Sequence, residues 1–385
     1  MRVGVNVEQL LLPSPGGVGR YSAQLAMLLA TEAPADEVVP FTAHHREALV
    51  RQRLAAAGVQ GEPVVLPLPR ALLYEAWVRA GVPPLGSSRR LRGLDLVHAP
   101  SAAVPPTGGS PLVVTLHDAA PARWPDAFTP RGRRWHQLAW AAARRRADAV
   151  ITVSQAAADE LVELAGIPEQ RLRVVHNAVV PPAVDPAAGA ALLRASGVAG
   201  RPVVLWVGSL EPRKGVDTLV QAMVRLPPGR DGRRPAVLVL AGYPGWLSEG
   251  LLPASARRAM GPDLVELGPL TDGALWSLYG SATVFAFPSR HEGFGLPPLE
   301  AMSQGAPVVA SDLPATREIL GDAAVLVPAG DPDAWADALG QLVADEGARL
   351  RLGAAGRERA ARFDGSRMVQ ATRAVYREVH GGATG

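Results

Sequence analysis

Short runs of β-branched residues alternate with stretches rich in Ala and Leu along almost the entire sequence. This alternation is typical of parallel sheets built from βαβ units. In the first half it predicts strands at 3–7, 37–41, 94–98, 112–116, 149–153 and 173–176, and helices at 17–31, 131–147 and 155–164. In the second half it predicts strands at 202–208, 236–241, 264–267, 283–287, 307–310 and 324–327, with helical segments from 332 to 379. The fold class is therefore α/β, and ligands are expected beyond the carboxyl ends of the strands.

A Pro-rich stretch separates the two series of strands. With 385 residues the chain has the length of two domains, each large enough to bury its own core. Residues 178–186 contain Pro181, Pro182 and Pro186 and cannot continue a sheet strand. We therefore predict two doubly wound domains, at 1–180 and 200–365, joined by a linker region at 181–199.

The amino-acid composition excludes several kinds of active site. The chain has no Cys, which excludes disulfides, a thiolate nucleophile and any Cys-ligated zinc or iron–sulfur site. No segment reaches the roughly 18 apolar residues of a membrane span, and the N-terminus resembles a strand more than a signal peptide, so a cytoplasmic location is expected. Only one of the 39 basic residues is Lys, at position 214. Codon bias accounts for the excess of Arg, so the position of the single Lys is informative.

Two loops of the first half are candidate ligand sites. Pro15 and the glycines 16, 17 and 19 lie where the first strand gives way to a helix, and Gly allows a ligand to approach the backbone N–H groups of a helix N-terminus. His117-Asp118 follows the strand at 112–116, and its imidazole could bond a sugar hydroxyl or a phosphate. The alternatives are a plain tight turn for the glycines and a His that caps the next turn. Taken alone, the His117 pair favours the cap.

The only Lys lies in the first strand-to-helix loop of the second half. This loop reads Gly-Ser-Leu-Glu-Pro-Arg-Lys-Gly at 208–215, and a helix begins near Val216. Arg213 and Lys214 could hold a diphosphate there, because guanidinium, ammonium and helix dipole would all act on it. A solvated surface pair is the usual fate of Arg-Lys, but the uniqueness of Lys214 weakens that interpretation.

The most informative stretch is 287–302, which reads Phe-Pro-Ser-Arg-His-Glu-Gly-Phe-Gly-Leu-Pro-Pro-Leu-Glu-Ala-Met. Glu292 lies in a loop after a strand, and Glu300 lies eight residues later in a helix begun by two prolines. Two carboxylates at this spacing can hold two different polyols. The Gly-Phe-Gly-Leu turn between them exposes backbone N–H groups that could bond hydroxyls. Two Glu residues alone carry little information, but the Gly-rich and Pro-rich sequence between them makes the pattern specific.

Two other patterns have both a structural and a functional interpretation. Asp331-Pro332-Asp333 has a form that binds divalent metals in some enzymes, but an N-cap Asp before a first-turn Pro is the simpler account. Residues 123–146 contain seven Arg against one acidic residue, Asp126, with Trp at 124, 135 and 140. This region fits a peripheral contact with anionic lipid on the inner membrane face, an anionic acceptor, or a solvated helix with its aromatic residues in the core. Nucleic acid is not an expected partner, because no binding motif accompanies the charge.

Together these residues resemble the retaining glycosyltransferases of the GT-B fold, family 4 or group 1, and in particular their mannosyltransferases. The resemblance runs nearly end to end and rests on residues 16–20, 153–154, 175–178 and 208–215. Its most specific part is 288–311, from Pro-Ser through Glu-Gly-Phe-Gly-Leu-Pro-Pro-Leu-Glu-Ala-Met to Gly-Ala-Pro-Val-Val-Ala-Ser. The family often has Asn-Gly where this chain has Asn177-Ala178, so the local turn is expected to differ there.

The resemblance implies roles for the candidate residues. A nucleotide diphosphate sugar would lie in a central cleft faced by two Rossmann-like domains, held mostly by the C-terminal one. Arg213 and Lys214 would neutralise its diphosphate, Glu292 would contact the transferred sugar, and His117 would lie near that sugar. These four are the expected catalytic residues.

Further residues are expected to bind the donor. Glu300 would hold the ribose hydroxyls, and Gly17 and Gly19 would bring the first helix to the phosphate. The turn between the two Glu residues would face sugar hydroxyls through backbone N–H groups at Gly293, Phe294, Gly295 and Leu296. The C-terminal helix, at about 366–385, would pack back on the N-terminal domain.

The resemblance also implies a reaction. The leaving phosphate would accept the acceptor's proton during same-face attack, so no general base is assigned. No metal and no cofactor are expected, because Arg213, Lys214 and helix ends would replace the metal. GDP-mannose is the first expected donor and UDP-glucose the second, and the acceptor would be a hydroxyl of a glycan, a glycolipid or a small molecule. The alternatives are another GT-B enzyme, such as a sugar-nucleotide epimerase or a pyridoxal phosphate-dependent phosphorylase, and a non-catalytic partner protein that keeps the fold.

Overall fold

The chain forms two compact units. The computed structural model describes residues 1–12, 16–229, 232–243, 245 and 251–382, so Pro15 of the first glycine loop lies outside the described residues. One unit consists of Met1–Ala178 together with the segment that begins at Asp364, and the other consists of Val179–Phe363.

The first unit is built on a parallel sheet. Its described strands are β1 (Arg2–Asn6), β2 (Glu37–Thr42), β3 (Val64–Val65), β4 (Leu96–Ala99), β5 (Leu112–Thr115), β6 (Ala149–Thr152) and β7 (Leu172–Val174). They lie in the order β3-β2-β1-β4-β5-β6-β7. The helices are α1 (Gly16–Glu32), α2 (Glu47–Ala56), α3 (Arg70–Ala80), α4 (Ala120–Arg123), α5 (Pro130–Arg146) and α6 (Gln155–Ala165). Successive strands are added on one side of β1 and then, from β4, on its other side, as in doubly wound folds.

The second unit repeats this architecture. Its described strands are β8 (Val203–Val207), β9 (Val237–Ala241), β10 (Leu264–Gly268), β11 (Val284–Phe287), β12 (Val308–Ser311) and β13 (Val325–Val327). They pair in parallel in the order β10-β9-β8-β11-β12-β13. The helices are α7 (Pro186–Ala195), α8 (Val216–Arg225), α9 (Ala254–Met260), α10 (Asp272–Ser281), α11 (Leu296–Ser303), α12 (Pro314–Leu320), α13 (Pro332–Ala344) and α14 (Glu346–Ala360). The predicted α/β class with two Rossmann-like domains is thus confirmed.

The last helix, α15 (Gly365–Gly382), belongs to the first unit. Its apolar face, which includes Met368 and Tyr376, is buried. Tyr376 Oη lies 2.6 Å from Nδ1 of the buried His98 in β4. Arg373 Nε donates to Asp36 Oδ2 at 2.8 Å. An apolar stripe and a charged edge therefore both attach this helix to the first unit.

The linker expected at 181–199 is wrong in part, because it contains α7. Pro186 occupies the first turn of this helix, where its missing N–H costs nothing, and Asp185 caps it by accepting from Ala187 N. Gly189 N donates to Ser277 Oγ at 2.6 Å, so α7 packs closely on α10. The same Pro that suggested a linker therefore begins a helix of the second unit.

Candidate active site

Two loops of the second unit meet where the strand order of its sheet reverses. β8 and β11 are hydrogen-bonded neighbours, and β8 is followed by a 3₁₀ turn (Pro212–Lys214) that leads into α8. β11 is followed by the segment 288–295, which leads into α11. Gly215 ends the 3₁₀ turn with φ +65° and begins α8. A Cβ there would lie 2.0 Å from the Pro288 carbonyl oxygen, so the two loops are in direct backbone contact.

A compact group of charges lies between these loops. Lys214 Nζ donates to Glu292 Oε1 at 2.6 Å, and Arg213 Nη1 lies 3.4 Å from Glu292 Oε2. Arg213 also donates to the His291 carbonyl oxygen at 3.0 Å and lies 3.6 Å from Glu211. The structure therefore brings Arg213, Lys214 and Glu292 together, although Glu292 is 78 residues from Lys214 in sequence.

The environment keeps Glu292 ionised. Burial alone raises the pKa of the Glu292 carboxyl, but the charges of Lys214 and Arg213 lower that pKa to about 2. Burial also lowers the pKa of Lys214, and the Glu292 carboxylate partly opposes that shift. Only 13% of the Lys214 side chain and 9% of the Glu292 side chain are exposed, so water screens the pair weakly. The arrangement offers fixed charges of both signs at the carboxyl edge of the sheet.

Arg290 joins the two loops and was not among the predicted site residues. Its backbone N–H donates to the Arg213 carbonyl oxygen at 2.8 Å. Its guanidinium donates to the Pro212 carbonyl oxygen at 2.6 Å and to Asp217 Oδ2 at 2.7 Å. The only sequence signal for this role is a basic residue inside the informative stretch 287–302.

Glu300 lies within α11 and has a different partner from Glu292. Its side chain is buried, with 2% of the residue exposed, and it accepts a hydrogen bond from Tyr279 Oη at 2.9 Å. Gly295 precedes the helix with φ +94°, a conformation that favours Gly. Gly293 and Gly295 flank Phe294, whose ring is buried edge-on against Phe363 at 5.8 Å, and Leu296 begins α11. The turn is therefore anchored by an aromatic side chain as well as by its glycines.

The first unit contains the remaining candidates, with Gly17 and Gly19 on α1 and His117 after β5. Gly17 lies exposed at the start of α1, and Gly19, two residues later, is buried. Tyr21 of the same helix packs edge-on against His117, with ring centroids 4.8 Å apart. His117 Nε2 donates to the Pro100 carbonyl oxygen at 3.1 Å, which leaves Nδ1 as the acceptor of the ring. Burial lowers the pKa of His117, so the ring favours its neutral form.

The structural interpretation holds for the Asp-Pro-Asp pattern. Asp331 caps α13 by accepting from Asp333 N and Ala334 N, and Asp333 pairs with Arg225. In the described part of the chain, no group of three or more His, Asp or Glu side chains is placed to hold a metal ion. None of the described helices combines the length and the apolar character needed to cross a bilayer.

Residues 123–146 divide between surface and core. Trp140 on α5 is buried, Trp124 is 37% exposed, and Trp135 lies between these extremes. Arg131 and Arg134 near the start of α5 and Arg144 and Arg145 near its end are exposed.

Comparisons with known proteins match both units. The family model described as "Glycosyltransferase Family 4" matches residues 15–181, and the one described as "Glycosyl transferases group 1" matches residues 193–359. O-antigen chain mannosyltransferase B of Escherichia coli is 29% identical over 373 residues, which cover 94% of this chain and 96% of that protein. D-inositol 3-phosphate glycosyltransferase of Acidothermus cellulolyticus is 30% identical over 406 residues, which cover 98% of this chain and 89% of that protein.

A solved structure shares the fold. Anabaena Alr3699/HepE, crystallised in complex with UDP-glucose, superposes with a TM-score of 0.73 and 21% sequence identity. The superposition covers 99% of this chain and all of that one.

Proposed function

The chain belongs to the family 4 (group 1) glycosyltransferases, and from this membership we propose that it transfers mannose from GDP-mannose to a hydroxyl group of a glycan, glycolipid or small-molecule acceptor. We propose further that the transfer retains the anomeric configuration and needs no metal ion. The observation that carries the proposal is the buried group of Arg213, Lys214 and Glu292 at the carboxyl ends of β8 and β11.

The charges of this group suit the departure of a nucleoside diphosphate. As the bond between the sugar C1 and the phosphate oxygen breaks, negative charge grows on that oxygen and positive charge grows on the sugar ring. Arg213 and Lys214 would stabilise the first charge, and one preorganised donor of this kind is worth about 3 kcal/mol. The Glu292 carboxylate, ionised at every ordinary pH, would stabilise the second. The acceptor oxygen bonds to C1 on the same face, and its proton passes to the leaving phosphate.

The donor must compete for cations that are already engaged. Lys214 has three N–H donors, so it keeps donors beyond its contact with Glu292. The diphosphate would take these remaining donors, while Arg290 holds the loop in place.

Lys214 can be tested directly because it is the only Lys. Amine-reactive labelling followed by mass spectrometry reports this residue, with the α-amino group as an internal reference. GDP-mannose is expected to protect Lys214 and to leave the α-amino group unprotected. Lys214→Ala is expected to lower kcat about 100-fold or more with the fold intact, while Arg225→Ala on the outer face of α8 keeps full activity. Equal labelling with and without any nucleotide sugar, together with an active Lys214→Ala protein, would refute the assignment.

UDP-glucose is the second candidate donor, because the structural relative from Anabaena was crystallised with it. A thermal-shift panel separates the two donors, since a ligand at 100 times its Kd stabilises the folded state by about 2.7 kcal/mol. The preferred donor is the one that raises Tm most. No shift with any nucleotide sugar would count against a transferase that uses such donors.

A further inference from the structure

The first unit contains a cavity that the donor site does not use. It has a volume of about 670 Å³ and lies between α3 and α5, with Gln9 at its edge. This volume is within the range of small-molecule sites, roughly 300–1,000 Å³. Its lining comes from segments that follow β1, β3 and β5, so it belongs to the edge of the sheet where α/β proteins bind ligands. We refer to it as the α3–α5 cavity.

Four arginines line this cavity. Arg70, Arg79, Arg131 and Arg134 contribute to it, and Glu75 is the acidic side chain among the lining residues. Arg79 is paired with Glu75. Among the described residues, Arg131 and Arg134 have no hydrogen-bond or ion-pair partner. Guanidinium groups that share a cavity repel one another unless an anion lies between them, and their planar fork matches the oxygens of a phosphate.

The lining of the cavity also contains apolar side chains. Tyr74 and Trp135 lie nearly parallel, with an angle of 18° between the rings and 6.4 Å between their centroids. The Tyr74 hydroxyl accepts from Asn6 Nδ2 at 3.3 Å, which anchors the ring to the end of β1. Leu138 extends this apolar surface along α5. The cavity therefore offers both cations and apolar surface, and α3 and α5 each contribute to both.

We propose that the α3–α5 cavity binds a phosphate ester carried by the acceptor. Arg131 and Arg134 bind the phosphate oxygens, and the Tyr74 and Trp135 rings contact the group to which the phosphate is attached. That the ligand is an acceptor rests on the proposed function, whereas phosphate binding itself rests only on the cavity. Arg70 is expected to contribute less to phosphate binding, because its Nε lies 4.0 Å from the buried Glu8 carboxylate.

Binding is tested by titrating the purified full-length protein with farnesyl phosphate, farnesol and inorganic phosphate. Trp135 lies in the cavity, so its fluorescence reports occupancy there, and Trp135→Phe identifies the part of the signal that comes from this ring. The variant R131Q/R134Q removes the two unpaired cations. R123Q/R145Q removes the same charge from exposed positions outside the cavity and is the matched control. We expect R131Q/R134Q to weaken phosphate binding at least tenfold and R123Q/R145Q to change it less than twofold.

The ligands identify the source of the phosphate. Tight binding of farnesyl phosphate alone indicates a lipid-linked acceptor, and equal binding of inorganic phosphate indicates a soluble one. Both results support phosphate binding by Arg131 and Arg134, but equal binding of inorganic phosphate would overturn the role proposed for Tyr74 and Trp135. Three results would overturn the proposal. These are binding of farnesol as tight as that of farnesyl phosphate, an equal loss of phosphate binding in both double variants, and no change in the fluorescence of Trp135. Equal loss of binding to anionic phospholipid vesicles in both variants would instead assign these arginines to a membrane surface.

The proposed transferase activity can be refuted independently of phosphate binding in the cavity. Hydrolysis of the nucleotide sugar in the absence of acceptor depends on Lys214 and not on Arg131 or Arg134. R131Q/R134Q should therefore hydrolyse donor at the unaltered rate while its KM for a phosphorylated acceptor rises at least tenfold. Phosphate binding without any donor hydrolysis would refute the transferase and leave the cavity assignment standing.

Discussion

The Glu292 carboxylate is buried between two cations, and this determines how the protein responds to acid. Its pKa is about 2 in the folded protein and 4.5 when unperturbed. A lowered pKa in the folded state stabilises the protein above about pH 4.5, and this stabilisation is lost as the pH falls toward 2. The difference in the free energy of unfolding between the wild type and Glu292→Gln should therefore shrink by up to about 3 kcal/mol on acidification. Urea unfolding at several pH values measures it. Parallel pH profiles would contradict the prediction.

Arg290 acts on the reaction through the residues that it holds. Removing it frees the Pro212 carbonyl and Asp217 and loosens the turn that carries Lys214. A hydrogen bond involving a charged group is worth about 1.5–3 kcal/mol, so Arg290→Met should raise KM for the donor about tenfold or more. Lys214 should also become more reactive toward amine reagents, which a loss of overall stability below the unfolding transition would not cause.

Arg225→Met is the matched control for Arg290→Met. It removes an Arg from the same unit, where the side chain pairs with the exposed Asp333. Its KM and its Lys214 labelling should equal those of the wild type. If Arg290→Met also leaves both unchanged, Arg290 has no positioning role.

The residues of the site differ in how far the sequence could predict them. Lys214 could be identified because it is unique, and Glu292 because it lies in a specific motif. Arg290 was missed because its partners are backbone carbonyls and an Asp more than 70 residues away. Tyr279 was missed for the same reason, since its bond to Glu300 depends on how α10 and α11 pack. Contacts made only by tertiary folding have no local sequence pattern.

At the scale of elements, the join between the 3₁₀ turn and α8 depends on one glycine. Gly215 has φ +65°, and a Cβ there would lie 2.0 Å from the Pro288 carbonyl oxygen. Gly215→Ala adds about 1–2 kcal/mol of backbone strain and must also push apart the two loops of the site. We expect Gly215→Ala to lose most of its activity and to be several kcal/mol less stable in urea unfolding.

Gly197 provides the control for this substitution. It has φ +75°, but a Cβ there meets nothing within 4 Å. Gly197→Ala should therefore cost only the backbone strain, about 1–2 kcal/mol, and should keep its activity. Equal losses of stability in the two variants would show that the contact with Pro288 is unimportant.

Burial explains why some elements were predicted more closely than others. The predicted strands 112–116 and 283–287 match β5 and β11 closely because every residue of β5 and β11 is buried. α2 was missed because only Val50 and Leu54 of its residues are buried, which gives a weak apolar stripe. β3 was missed because it consists of Val64–Val65 alone.

At the scale of the whole molecule, the chain enters and leaves the second unit once each, at residues 178–179 and 363–364. Two α/β domains follow from length and pattern, but the exact boundaries depend on packing. Val179 N donates to the Phe363 carbonyl oxygen at 2.7 Å, so the two crossing segments are bonded to each other. Neither residue 179 nor residue 363 predicts this hydrogen bond by itself, because the bond joins positions almost a whole domain apart in sequence.

The C-terminal helix should therefore be needed by one unit and dispensable for the other. Removing residues 364–385 deletes α15, exposes the apolar surface beneath Tyr376 and leaves His98 Nδ1 without the Tyr376 hydroxyl. Hydrogen exchange measured by mass spectrometry should rise in β4 and β5 of the first unit and stay unchanged in β8 and β11. Tyr376→Phe, which removes only the hydroxyl, should produce a smaller rise confined to the segment around His98, since one buried hydrogen bond is worth about 1 kcal/mol. A matching rise in β8 and β11 after the truncation would mean that the second unit also depends on this helix for its stability.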